Sequence, residues 1–343
     1  MTSPLNALAV DNPVLAAPMA GGPSTPALVV AAARANGLGF LAGGYKTADA
    51  LAEQIAEVRR HDIAFGVNLF APNPLPVDPE AFRRYAAAIA PEVRAYELDV
   101  RTAGIVEDDD HWSDKIDLLL SVPVPVVSFT FAVPDAAVIA ALRAAGTVVV
   151  QTVTSAAEAR LAADAGADVL AVQASAAGGH SSTLTPEHVP ASVPLTELLG
   201  RIRAAVSLPL VAAGGLATPA GVAEALHAGA EAVMVGTVLL RADEAGTSLP
   251  HQAALADPKR RRTVVTRAFT GRPARALANR FTDHYSDLAP CGYPALHHLT
   301  RPMRQAATAA GDPERINLWA GTGYRQATAE PAAQILRRLA SHV

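Results

Sequence analysis

The chain contains a single cysteine, Cys291, in 343 residues. One thiol cannot build an internal disulfide framework, and its scarcity fits a reducing compartment. A basic excess is also missing: 28 Lys and Arg stand against 32 Asp and Glu, a formal charge of −4. No basic surface therefore calls for nucleic acid. Apolar runs are broken by Gly, Arg or Asp well short of the ~18 residues a membrane span needs. The opening Met1-Thr-Ser-Pro-Leu-Asn6 has neither a basic stretch nor a long apolar one. No signal peptide is expected, and a cytoplasmic protein is the default. There is no Gly-Lys-Ser/Thr loop, no His-Glu-x-x-His helix and no ligand-like spacing of His, Asp, Glu and Cys for a metal.

What is there is a repeat of short apolar runs and Ala-rich stretches in a chain that is 50% hydrophobic. Eight runs read as buried strands: Val14–Ala17, Gly39–Ala42, Ala64–Leu69, Val124–Phe129, Thr147–Gln151, Val169–Val172, Leu210–Ala213 and Ala232–Val235. They are apolar throughout, as strands covered on both faces should be. Helical stretches lie between them: Pro26–Ala35, Ala48–Arg60, Ala136–Ala145, Ala156–Ala165 and Pro219–His227. Gly37, Gly146, Gly166 and Gly229 sit where helix C-caps belong. Several consecutive runs start about 22 to 27 residues apart, the length of one strand–helix unit. Longer gaps follow the third run, with Pro72 to Pro79, a helix and the acidic Glu107–Asp110, and the sixth, with Gly178-Gly-His180. Eight such units with inserts predict an α/β fold, a (β/α)₈ TIM barrel. A doubly wound sheet would place Gly-x-Gly-x-x-Gly after its first strand, where this chain has Ala17-Pro-Met-Ala-Gly-Gly22.

In such a barrel the chemistry sits in the loops after the strands. Gly214-Gly215 after the seventh run and Gly236-Thr237 after the eighth predict a phosphate site, since bare N–H groups and a helix start suit a dianion. Its owner could be a sugar phosphate, a nucleotide or FMN. Pro18-Met19 offers an apolar face, and Asn68 and Gln173 offer amides that both donate and accept. Lys, Asp and Glu are nearly absent from these ends, which favours a flat heteroaromatic ring over enolising chemistry. His180 is then the main proton-transfer candidate. Glu107–Asp110 reads as a solvated loop and Lys259–Arg262 as an exposed helix end.

Taken in order, Ala17-Pro-Met19, Gly66-Val-Asn-Leu-Phe70, Gln173…Gly178-Gly-His180, Leu210-Val-Ala-Ala-Gly-Gly215 and Gly236-Thr237 resemble the nitronate monooxygenases. Gly271-Arg-Pro-Ala-Arg275, Asn279-Arg-Phe281 and Trp319-Ala-Gly-Thr-Gly323 are similar to the class I members. The resemblance implies an FMN enzyme that oxidises alkyl nitronates, propionate 3-nitronate or others derived from nitroalkanes, with O₂ to a carbonyl compound and nitrite. It places Pro18, Met19, Asn68, Gln173, Gly178, Gly179, Gly214, Gly215, Gly236 and Thr237 at FMN, His180 at the active site and Tyr293 in the substrate pocket. It also implies an FMN-binding barrel over residues 1–245, with an insert of about 71–120 as a candidate part of a mainly helical cap. The cap spans 246–323, and 324–343 carry a helix, about Pro331–Ser341, that packs back on the barrel. A monomer or homodimer is expected.

Three positions depart from the family pattern. Ala176 stands where a glutamate is usual, and His297 and Arg301 where Tyr and Lys are common. Loss of a carboxylate beside His180 would lower its basicity. Arg301 can pair bidentately with a carboxylate or nitronate, so His297 and Arg301 join the expected substrate-binding set. Two competing functions share these residues: an NAD(P)H-dependent quinone or enoyl reductase using FMN, and a flavin-binding protein without turnover.

Overall fold

A computed structural model describes residues 11–343. Eight parallel strands form one sheet: β1 (Val14–Ala16), β2 (Phe40–Ala42), β3 (Gly66–Phe70), β4 (Val126–Thr130), β5 (Val148–Val153), β6 (Val169–Gln173), β8 (Leu210–Ala213) and β9 (Ala232–Val235). The short β7 (Gly179–His180) belongs to a second sheet. The barrel order runs β1-β9-β8-β6-β5-β4-β3-β2. β2 returns toward β1 through one bridge, Ala16 to Gly39, with the Ala16 N–H donating to the Leu38 carbonyl at 2.9 Å. The barrel is nearly closed.

Alternation along each strand divides the core. Leu15, Val169, Ala171 and Val211 point into the barrel with Phe40, Val126, Val150 and Met234. Val14, Ala16, Leu170 and Val172 point out, against the surrounding helices. Phe40 fills the floor so closely that a Cβ at Gly66 would stand 2.2 Å from its ring. Helices α1 (Pro26–Arg34), α2 (Ala48–Arg59), α5 (Ala136–Ala144), α6 (Ala156–Asp164), α7 (Leu195–Arg203) and α8 (Pro219–His227) cover the outside. Thr25, Thr47, Ser155 and Thr218 each accept the N–H three residues on and so fix four of these starts. Gly146, Gly166 and Gly229 take the left-handed φ of helix ends, as expected. After α1 that residue is Asn36 (φ 56°), while Gly37 must stay small because a Cβ there would meet the Val14 carbonyl at 2.9 Å.

The remaining elements are α3 (Pro79–Arg94), α4 (Trp112–Ser121), α9 (Leu249–Ala256), β10 (Thr263–Thr266), β11 (Ala274–Leu277), α10 (Arg280–Tyr285), α11 (Ala295–Ala309) and α12 (Ala332–Leu339). Phe82, Tyr85 and Ile89 of α3 share a second core with Phe269, Phe281, Leu296, Leu299 and Met303. The insert after β3 therefore packs with the chain that follows the barrel. That later chain is less helical than expected. β10 and β11 pair antiparallel, and β7 adds to β11 with His180 opposite Ala274. Ile335, Leu336 and Leu339 of α12 pack into the outer barrel core with Leu28 and Ala32.

Two surface expectations are corrected. Lys259–Arg262 is a loop before β10, and Arg260 is engaged there by Glu314 and the Ala278 carbonyl. In the acidic run, Asp110 is no solvated side chain: it accepts the Tyr45 N–H at 2.8 Å and pairs with buried Lys115 at 2.7 Å.

Candidate active site

A cavity of about 830 Å³ opens at the C-terminal ends of the barrel strands. Its walls gather Pro18, Met19, Asn68, Gln173, Gly178 and Gly179 from loops far apart in sequence. Gly214, Gly215, Gly236 and Thr237 line one end, and His180, His297 and Arg301 line the side away from the barrel. Tyr293 is the exception. It is not part of the wall but packs behind it, its ring 5.8 Å from that of His180 and 5.4 Å from that of Phe131.

At the glycine end, Gly214 (φ 108°) and Gly215 (φ 77°) adopt conformations that turn the loop between β8 and α8. Thr237 Oγ1 accepts the Gly321 N–H at 2.9 Å, so its own proton is available to an acceptor in the cavity. Gly178 is glycine for a different reason from the one its sequence suggests. A Cβ there would lie 2.5 Å from the Gly321 nitrogen, so the residue lets the Trp319–Gly323 segment close over this end.

The amides are oriented by their partners. Asn68 Nδ2 donates to Ser128 Oγ (2.9 Å) and Thr130 Oγ1 (3.1 Å), which leaves Oδ1 as the acceptor toward the cavity. Gln173 ties down the stretch that follows it. Its Oε1 accepts the Ser182 N–H at 2.8 Å and its Nε2 donates to the His180 carbonyl at 3.2 Å, with one N–H left over.

His180 Nε2 lies 2.9 Å from Thr270 Oγ1. Rings of Phe131, Tyr293 and Trp319 surround it, with centroids 5.4 to 5.8 Å away. This burial, with Arg272 and Arg304 nearby, holds its pKa down to about 3. The ring is neutral at physiological pH. Ala176 has little part in this, because its Cβ faces Gly215. Arg272 is fully buried over the Phe131 ring at 4.0 Å and donates to the Ser181 and Thr183 carbonyls, pinning the segment after His180.

Five side chains at this site lay outside the sequence expectation: Tyr45, Phe131, Thr270, Arg304 and Trp319. Tyr45 follows the end of β2 and could have been found by the same strand-end search. Arg304 is seven residues after His297 and so on its helix face. Among the described residues the charged groups on the wall are Lys46, Arg301 and Arg304, with no aspartate or glutamate. The charged side chains on its wall are thus all basic. No group of three or more His, Cys, Asp or Glu able to hold a metal occurs among the described residues, and no described helix is long and apolar enough to cross a membrane.

Fold and site define an α/β barrel with a cavity of basic charge at its strand ends. Comparison with known proteins gives the family. The nitronate monooxygenase family profile matches residues 2–342. A probable nitronate monooxygenase of Staphylococcus aureus is 34% identical over 340 residues, 98% of this chain and 95% of that protein. Among solved structures, nitroalkane oxidase from Streptomyces ansochromogenes is 45% identical with a TM-score of 0.93, covering 99% of this chain and 97% of its own. FabK from Thermotoga maritima is 27% identical with a TM-score of 0.75, covering 99% and 95%. The chain belongs to the nitronate monooxygenase family and is an oxidoreductase.

Proposed function

We propose that the chain oxidises alkyl nitronates with O₂, by way of bound FMN, to a carbonyl compound and nitrite. The observation that carries this is the charge of the cavity: three cations, no carboxylate and a neutral histidine. A nitronate is an anion and needs no proton removed before oxidation. A neutral nitroalkane needs a base, and a histidine held near 3 is a poor one.

The residues present fit FMN. Its phosphate would be held by the left-handed Gly214-Gly215 turn, the Thr237 hydroxyl and the start of α8. Pro18 and Met19 would form the apolar bed, and Asn68 Oδ1 would be free to accept from the ring. The cavity falls within the ~300–1,000 Å³ usual for small-molecule sites. Bound there, FMN supplies the redox chemistry. Gly179, which has open space where a side chain would stand, would leave room beside it, and His180 with Thr270 would present a fixed polar edge to the substrate. His297 and Arg301 line the cavity on the same side, His297 and His180 both packing against Tyr293. The second core around α3, α10 and α11 acts as the cap that excludes water, with residues 1–245 as the cofactor domain, about 71–120 joining the cap of 246–323, and 324–343 returning to the barrel.

The test is nitrite release in air from propionate 3-nitronate and from propyl-2-nitronate, with an absorption spectrum of the purified protein. Nitrite from both is expected. A flavin-bearing protein that releases none, and is bleached at once by NADH or NADPH without oxygen, would be a reductase instead. A colourless protein that takes up no FMN would overturn every flavin assignment.

A further inference from the structure

Arg304 sits half-buried on α11, at the cavity wall, and its side chain bonds to no carboxylate among the described residues. All four of its hydrogen bonds go to neutral acceptors: Thr300 Oγ1 (3.1 Å), Asn317 Oδ1 (3.1 Å), the His297 carbonyl (3.0 Å) and His297 Nδ1 (3.2 Å). A guanidinium largely withdrawn from water without an anion is costly unless a ligand completes it. Burial lowers its pKa to about 10, which still leaves it charged.

The bond to His297 has a further consequence. A guanidinium can only donate, so His297 Nδ1 must accept and its proton must sit on Nε2. The ring cannot turn away, because it is 4% exposed and lies flat on Tyr45, with centroids 4.2 Å apart and planes 5° from parallel. Tyr45 itself is held at a left-handed φ of 67° by Asp110, which accepts its N–H. A non-glycine residue in that conformation persists only where its surroundings impose it.

We propose that Arg304 is the positioning residue of the substrate site: it fixes His297 as a neutral Nε2–H donor toward the cavity and places a positive charge behind it, so that the pair receives an anionic oxygen of the substrate. This rests on the nitronate reading for the substrate's identity but not for the ring's state. A carboxylate and a nitronate are both planar two-oxygen anions, and either meets this description. Arg301, exposed at the rim, does not share the role.

Two measurements test it on the purified chain with its cofactor. Long-range ¹H–¹⁵N correlation of the histidine rings reads the tautomer without any turnover. His297 should show a protonated Nε2 and a bare Nδ1, and Arg304→Met should change that pattern. An Nδ1–H tautomer or an imidazolium in the unaltered protein would overturn the proposal, whatever the enzyme's activity. The second measurement is the split between KM and kcat. Arg304→Met and His297→Leu should raise KM about tenfold or more, the loss of one charge-assisted hydrogen bond, with kcat changed little. Arg304→Lys and His297→Gln, which keep the charge and the donor, should recover part of it. A rise for propyl-2-nitronate and propionate 3-nitronate alike assigns the nitronate oxygens, and a rise for the second alone assigns the carboxylate. Unchanged KM for both, in variants that fold, would refute the role while leaving nitronate oxidation standing.

Discussion

Replacing His180 by asparagine separates two chemistries that a neutral histidine keeps apart. Burial among Phe131, Tyr293 and Trp319, with Arg272 and Arg304 nearby, holds the ring at about 3 against an ordinary 6.5. Charging it therefore costs ~5 kcal/mol more than in water. Abstraction of an α-proton that leaves a full imidazolium is slowed by up to about three-thousandfold relative to a free imidazole. Oxidation of a nitronate formed beforehand carries no such cost. The assay is initial nitrite release, wild type against His180→Asn, with 2-nitropropane and with its preformed nitronate, between about pH 5.5 and 8.5. The wild type should prefer the nitronate strongly, and kcat/KM for it should show no inflection from His180. His180→Asn should keep nitronate turnover within roughly threefold, because the amide still offers a polar edge, and should lose what nitroalkane turnover there is. The reasoning fails if wild-type kcat/KM titrates near 6.5 and the variant abolishes that titration. It fails equally if 2-nitropropane is turned over as fast as its nitronate.

Other consequences follow from the same packing. His180 and His251 are held at about 3 and about 4 by burial, so the unfolded chain binds more protons below pH 6.5 and stability must fall as pH drops through that range. The two together cost on the order of 4 kcal/mol at pH 5, readable by urea unfolding at pH 7 and pH 5. Gly178→Ala drives a Cβ against backbone 2.5 Å away and should lower stability by about 2–3 kcal/mol. Gly179→Ala meets open space and should cost only the ~1–2 kcal/mol of its positive φ, so thermal melts of the two variants should rank in that order. Thr237→Val strands the Gly321 N–H and removes a phosphate donor. FMN affinity, followed by flavin fluorescence, should drop about tenfold or more, a loss of roughly 1.5–3 kcal/mol.

Much of the barrel was legible because its signal is local. Strands covered on both faces must be apolar, and Leu210–Ala213 and Ala232–Val235 are identical in sequence reading and structure. The strand-end rule and the family resemblance together named fourteen site residues, and thirteen of them line one cavity, Tyr293 alone standing behind it. Pairing that depends on a distant partner was not legible. Gly179-His180 forms a strand only because β11 lies alongside, and two residues carry no period. Asp110 reads as part of an acidic run, yet Lys115 and the Tyr45 N–H make it an anchor.

The sequence by itself determined the eight-strand repeat, the glycine turns that suit a phosphate and the family. These rest on backbone conformations and burial patterns that each residue type imposes on its own neighbourhood. Only the tertiary structure decided the charge and tautomer of the site. A histidine's protonation depends on what surrounds it, and the groups that keep His180 uncharged and His297 protonated on Nε2 arrive from α11, the β10–β11 region and the loop after β2. The same holds for Arg304, which the sequence did not single out: the fold brings it to the cavity wall beside Arg301 and ties it to His297.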